Sequence, residues 1–177
     1  MKVRIATPRD ARGIADIHVR AWQVAYDGIV PAPYLAGLST DERETMWNTI
    51  LNKGTAQVCV AVQGDEMLGW ICVGGSRDPD AQTRTAEVRA DYVDPNHWRR
   101  GVGRALWRMA MERSKSAGFS EVTLWVLEAN ANSIAFYASL GFARDEHADK
   151  IVELGGAQLK EIRLRVQLPH HPELPTV

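Results

Sequence analysis

Cysteine is scarce: Cys59 and Cys72 are the two in a chain of 177 residues. A disulfide framework or a structural zinc site needs more, and both thiols sit inside apolar runs, VCVAV and WICVGG, where a free thiol behaves as a small hydrophobe. A reducing, cytoplasmic location is expected. An excess of either charge is missing too, since 21 Lys and Arg face 22 Asp and Glu. No global field draws the chain to nucleic acid or an anionic membrane, so any anion it binds must be met by a local patch. Long apolar runs are absent. MLGWICVGG, the longest uncharged apolar stretch, is too short to span a bilayer, and the opening MKVRIATPRDARG holds no apolar core of a signal peptide. Neither a repeat nor a linker divides the sequence, so a single domain over residues 1–169 is expected, with 170–177 as a disordered tail. His170 and His171 in that tail lack further ligands, and no metal is expected.

Hydrophobic residues at 45% and charged residues at 24% are ordinary for a folded domain, which sets wholesale disorder aside. VRIA reads as a short strand, and Thr7 followed by Pro8 is a helix start. Ile14, Ile17, Ala21 and Ala25 recur at helical spacing, and the segment Tyr26 to Pro33, with Gly28 and Pro31, breaks the helix. A second helix opens at Ser39, carries Met46, Trp47, Ile50 and Leu51 on its apolar side, and closes at Gly54. Three strand-like runs follow, Gln57 to Val62, Met67 to Val73 and Ala86 to Val93, with a hairpin signal between the first two and a polar loop from Gly74 to Thr83. Gly101 to Ala117 has a helical apolar face and ends at Gly118. Val122 to Leu127 is apolar on both faces, as a buried strand parallel to its neighbour would be. A short helix from Ala131 to Leu140, a strand from Phe142 and a one-sided strand bearing Ile162, Leu164, Val166 and Leu168 complete the chain. The fold class is α/β with a mixed sheet, antiparallel first and then crossing over once.

Chemistry concentrates in YVDPNHWRRGVGRAL, from Tyr92 to Leu106, which joins a strand to a helix. Gly101 and Gly103 let backbone approach a ligand, and the first-turn N–H groups of the helix then point at it. Arg99, Arg100, Arg104 and Arg108 add positive charge with no acid between Asn96 and Ala110. The loop is either an anion cradle or a glycine-rich helix start that binds nothing. A dinucleotide fingerprint would want glycine at Leu106, and no Gly-Lys-Ser/Thr follows as a nucleotide-triphosphate loop requires.

A second segment, EANANSIAFYASLGF from Glu128 to Phe142, accompanies the cradle. Together they resemble the GNAT superfamily of acetyl-CoA-dependent N-acyltransferases. That family's loop is written Gln/Arg-x-x-Gly-x-Gly/Ala, and its later segment has Asn seven residues before Tyr and then Gly-Phe. Asn130, Tyr137, Gly141 and Phe142 keep the second pattern, and Gly101 and Gly103 the first, while Trp98 stands in the Gln/Arg position. The order of elements matches over nearly the whole chain. The resemblance implies that backbone of Asp91, Tyr92 and Val93 pairs with the pantetheine arm of acetyl-CoA. It implies that Arg99, Arg100, Gly101, Val102, Gly103 and Arg104 hold the pyrophosphate, that Asn130 meets the cofactor, and that Tyr137 sits by the sulfur. Asn130 reads equally as the cap of the following helix, and Tyr137 as a packed core aromatic.

Acetyl transfer to an amine needs a neutral amine, a polarised thioester carbonyl and a protonated leaving thiolate. Tyr137 is the expected acid, and the N–H of Val93 is the family's suggestion for the carbonyl. Alternation places Glu87, Arg89, Asp91 and Val93 on one strand face. Glu87 matches an acidic position common in relatives, and Asp91 stands where many relatives are apolar, so both are candidate bases. Glu87 could instead pair with Arg89 or Arg84, and Asp91 could be a satisfied polar group at a strand distortion. Trp22, Tyr26, Asp27, Tyr34 and Trp47 are candidates for an acceptor pocket, or for core. Direct attack in a ternary complex on a small-molecule amine, such as an amino sugar or an aminoglycoside-like antibiotic, is the expected reaction. A protein N-terminal or lysine acetyltransferase, or a noncatalytic acyl-CoA-binding regulatory domain, is the alternative. The resemblance also allows a homodimer, as many relatives are dimers.

Overall fold

The computed structural model describes residues 1–169, so the tail expected to be disordered, with His170 and His171, lies outside the described residues. Among the described residues seven strands form one sheet in the order β1-β2-β3-β4-β5-β7-β6. β1 (Lys2–Ile5), β2 (Gln57–Gln63), β3 (Glu66–Gly75) and β4 (Thr85–Val93) pair antiparallel in turn. β5 (Glu121–Leu127) runs parallel to β4, and β6 (Ala143–Leu154) and β7 (Ala157–Gln167) return antiparallel, with β7 inserted between β5 and β6. This is the mixed α/β sheet expected, closed by a hairpin whose turn, Gly155 and Gly156, takes positive φ at both residues.

Helices cover both faces. α1 (Ala11–Ala25) and α3 (Thr40–Lys53) lie on one, sharing a core of Ile14, Ile17, Trp47, Val58, Val60 and Trp70. α4 (Val102–Ser116) and α5 (Ala131–Ala138) lie on the other, where Leu106, Trp107, Ala110, Val88 and Leu124 are buried. Local chemistry accounts for the ends of these helices. Thr7 donates its N–H and hydroxyl to Asp10 Oδ2 (2.6 and 3.0 Å), and one tight turn, Pro8–Asp10, leads into α1. Ser39 Oγ accepts from the Glu42 N–H at 3.2 Å, and Gly54 stops α3 with a φ of 62°.

Two expectations are revised. The break from Tyr26 to Pro33 ends sooner than expected, because Ala32–Ala36 forms a short helix, α2, in which Pro33 falls where its missing N–H costs nothing. Trp47, a candidate for the acceptor pocket, is 3% exposed. Its indole N–H donates to His18 Nδ1 at 3.2 Å and its ring meets Trp70 edge-on at 4.5 Å. A large aromatic on the inner face of a helix is held by the apolar area it removes from water, and Trp47 belongs to the core. No helix of the described residues is long and apolar enough to cross a membrane.

Candidate active site

The cradle forms where β4 ends and α4 begins. Asp94, buried, takes the N–H of Asn96 on Oδ1 at 2.9 Å and the Arg20 guanidinium on Oδ2, which pins the end of β4 to α1. Trp98, in the position the family gives to Gln or Arg, donates its indole N–H to the Val93 carbonyl at 2.8 Å. It therefore ties the loop back to the strand by its own hydrogen bond. Gly101 caps α4 at a φ of 82°, and nothing lies within 4 Å of where its Cβ would be. Its left-handed backbone, with open space beside it, is what demands glycine there. Gly103 has another reason, because a Cβ would meet Phe136 of α5 at 3.1 Å. Arg99 holds a φ of 62° without being glycine, a strained conformation of the kind that collects at functional sites. Val102 is buried under the loop, while Arg99, Arg100, Arg104 and Arg108 are exposed. Arg104 reaches Ser139 at 3.3 Å, and among the described residues none of the four arginines is in an ion pair. The N–H groups of the first turn and these cations suit a polyanionic ligand such as a pyrophosphate.

Beside the cradle the sheet opens. β4 pairs with β5 from Thr85–Glu121 to Val88–Leu124, yet β4 continues to Val93 and β5 to Leu127. Beyond Val88 the two strands diverge, which leaves inward-facing peptide groups for an extended ligand with amide bonds of its own. Tyr137 of α5 and Asp91 of β4 meet here. The Tyr137 hydroxyl donates to Asp91 Oδ1 at 2.8 Å, and the Trp107 indole N–H donates to Asp91 Oδ2, also at 2.8 Å. Tyr137 is buried, packed edge-on against Trp107, and Trp107 is packed in turn against Phe142 of the Gly-Phe pair. Burial raises the pKa of Asp91, against the pull of its two hydrogen bonds. Burial and the neighbouring Asp91 raise that of Tyr137 well above 10. Asn130, open between cap and ligand contact, caps α5: its Oδ1 accepts from the Ser133 N–H at 3.1 Å.

The alternation expected along β4 does not hold. Cys72 pairs with Ala90 but Val73 with Val88, so Arg89 is an extra residue, a β-bulge. Each residue beyond it changes face relative to those before. Ala86 and Val88 face α4, as Asp91 does through Trp107, and Ala90 and Tyr92 pack with the α1 side. Glu87 and Asp91 therefore stand on opposite faces. Glu87 is 4% exposed and bound by Arg77, which donates from its backbone N–H at 3.1 Å and from Nε at 2.9 Å. Burial alone would raise the Glu87 pKa, but the Arg77 contacts outweigh it and hold the carboxyl below its ordinary value. The partner is thus Arg77 of the preceding loop rather than Arg84 or Arg89.

On the Glu87 face, the open end of β5 is covered. Leu127 is buried with Val30 and Leu35, and Tyr26, Tyr34, Val152 and Leu154 pack around them. The Gly155 turn presses on Tyr34, where a Cβ would come within 2.7 Å. Tyr26 shares a hydrogen bond with Tyr92 (3.3 Å between oxygens), Trp22 meets Tyr26 edge-on at 4.9 Å, and Asp27 is exposed. Trp22, Tyr26 and Tyr34 therefore come together, and Trp47 does not join them. Cys72, buried on β3, has its thiol pushed up to about 11 by burial, which leaves it no nucleophile at neutral pH. Reading the sequence missed Trp107. An indole on the inner face of a helix beside an acidic strand position was the available signal, since a buried indole N–H seeks an acceptor. Arg77 carried no signal, being one charge in a polar loop.

Comparison with known proteins agrees with this geometry. The model of the "Acetyltransferase (GNAT) family" matches residues 16–142. The chain is 33% identical over 165 residues to the uncharacterized N-acetyltransferase YuaI of Bacillus subtilis, covering 92% of this chain and 90% of that one. Over 50 residues, 28% of this chain and 34% of the other, it is 42% identical to the [ribosomal protein bS18]-alanine N-acetyltransferase of Escherichia coli. Its fold matches that of YncA, a putative acetyltransferase from Salmonella typhimurium solved with its cofactor acetyl-CoA, at a TM-score of 0.72 and 24% identity over 100% of this chain and 99% of that one. Cradle, splayed strands and ordered tyrosine thus meet in one chain, which belongs to the GNAT family of acetyl-CoA-dependent N-acetyltransferases.

Proposed function

We propose that the enzyme acetylates the amine of a small molecule, with amino sugars and aminoglycoside-like antibiotics as the favoured class, by direct attack in a ternary complex. The carrying observation is the cover over the open end of β5, where α2 and the β6–β7 turn meet at Tyr34 and Gly155. A protein substrate wants an open groove and strand edges for backbone pairing. The aromatic rings of Trp22, Tyr26 and Tyr34 beside that cover suit sugar faces and cations. Two buried free thiols suit a reducing, cytoplasmic compartment.

Acetyl-CoA supplies an acyl group activated as a thioester, with a thiolate as leaving group. Arg99, Arg100, Arg104 and the N–H groups from Gly101 to Gly103 would hold its pyrophosphate, the backbone of Asp91 to Val93 its pantetheine arm, and Asn130 would lie alongside. Tyr137 protonates the departing sulfur. Asp27, exposed on the Glu87 face of the sheet, draws a cationic amine, while the charge of Glu87 is balanced by Arg77. With Cys72 protonated, direct attack is favoured over a covalent acyl-enzyme.

Thiol release measured over amino sugars, polyamines and peptides bearing a free N-terminus or a lysine ranks the acceptors by kcat/KM. Small amines are expected to lead. Peptides ahead by about tenfold, 1.4 kcal/mol of transition-state binding, overturn the small-molecule reading. The likeness to the bS18-alanine enzyme makes a protein α-amine the second reading, and the same series separates the two.

A further inference from the structure

Tyr137 presents a difficulty as an acid. Its hydroxyl proton lies on Asp91, and a phenolate left behind in a buried site is costly. Trp107 resolves this by direction. An indole N–H only donates, so the Asp91 oxygen facing Trp107 must accept, whatever the protonation state. If the carboxyl is neutral, its proton is left to the other oxygen, which faces Tyr137 at 2.8 Å. The phenol oxygen then accepts, and its own proton must turn away from Asp91.

Building on the role given above to Tyr137, we propose that Asp91 works as the neutral acid and is the positioning residue that turns the Tyr137 proton towards the reacting sulfur. As the C–S bond breaks and its electron pair withdraws onto sulfur, Tyr137 gives its proton to the sulfur. The neutral Asp91 carboxyl keeps its own proton and donates it as a hydrogen bond to the Tyr137 oxygen, which steadies the negative charge left there. Tyr137 regains a proton from solvent, to which the attacking amine has lost one. The surroundings favour the neutral acid: burial raises the pKa of Asp91, and neither hydrogen-bond partner is a cation. The titratable groups coupled to it are Tyr137 from α5, Tyr92 from β4 itself and Tyr26, just past the end of α1, all of which ionise above the range of a carboxyl. Asparagine imitates the neutral acid, accepting from Trp107 with its oxygen and donating to Tyr137 with its NH2, but it does not titrate.

Two readouts test this. In the free protein, the Trp107 indole ¹⁵N–H resonance followed from pH 4 to 9 should titrate with a midpoint above the ordinary aspartate value, and Asp91→Asn should abolish that titration. In kinetics, kcat of the wild type should fall as pH rises through the same midpoint. Asp91→Asn should remove that falling limb and keep kcat within about tenfold of the wild type, whereas Asp91→Ala should lose on the order of 10²-fold in kcat with little change in the KM for acetyl-CoA. Asp91→Asn as inactive as Asp91→Ala, or a Trp107 midpoint at or below the ordinary value, overturns the proposal. Tyr137→Phe separates the levels: if it keeps full kcat, the acid assignment itself fails. If it loses kcat while both Asp91 variants keep the wild-type rate and profile, only the role of Asp91 falls.

Discussion

Glu87 and Asp91 stand on the same strand with one bulge between them, and their surroundings could hardly differ more. Glu87 faces the α1 side of the sheet and is gripped by the Arg77 guanidinium, which stabilises its charge. Asp91 faces α4 and α5, where two neutral donors, Trp107 and Tyr137, replace water without supplying a positive charge. Their pKa values therefore move in opposite directions, Glu87 down and Asp91 up. Two carboxyls on one strand thus divide into one whose charge its partner stabilises and one whose charge its surroundings disfavour. The bulge at Arg89 makes the division, because without it both side chains would share a face.

The largest test of this contrast removes the group that only Asp91 touches. Tyr137→Phe should lower kcat by about 10²-fold, with acetyl-CoA affinity nearly unchanged, as initial rates and calorimetry would report. A change outside the strand should leave the contrast intact. Gly101→Val places a β-branched residue at a φ of 82° and should cost about 1–2 kcal/mol of loop geometry, weakening acetyl-CoA binding roughly tenfold without altering the pH profile.

Stability should then separate the two carboxyls by sign. Glu87, lowered in the fold, contributes stability above the ordinary glutamate value of about 4.3 and loses it as pH falls, so Glu87→Gln should cost about 1 kcal/mol at pH 7 and little near pH 3. Asp91, raised in the fold, is most favourable below about 3.9 and loses stability as pH rises towards its folded value. Asp91→Asn should therefore unfold at higher denaturant than the wild type at pH 8, with the gain gone near pH 4. Smallest is Arg99→Gly, which relieves a φ of 62° and should stabilise by about 0.5 kcal/mol while slightly weakening the cofactor's hold.

Much of this arrangement was legible in the sequence, and the parts that were not share a physical cause. Helix ends were read from Ser39 and Gly54, and the buried parallel strand from the two-sided apolar run Val122 to Leu127, because those signals are local. The cradle and the Asn130, Tyr137 and Phe142 spacing were legible for the same reason. The bulge was hidden: Ala86, Val88, Ala90 and Tyr92 alternate without a fault, and since both faces of β4 are buried, either register satisfies the pattern. Trp47 read as pocket or core alike, because periodicity says which face of a helix is apolar but not what covers it. The contacts of Asp91 with Tyr137 and of Glu87 with Arg77 join residues 46 and 10 apart. Such pairings are made by the fold rather than by neighbours in the chain.

The opposite fates of the two carboxyls can be read in one sample. With ¹³C-labelled aspartate and glutamate, the side-chain carboxyl resonances of Glu87 and Asp91, assigned through Glu87→Gln and Asp91→Asn, are followed from pH 2 to 9. Glu87 should titrate below the ordinary glutamate value and Asp91 above the ordinary aspartate value. An Asp91 midpoint at or below that ordinary value would contradict the account.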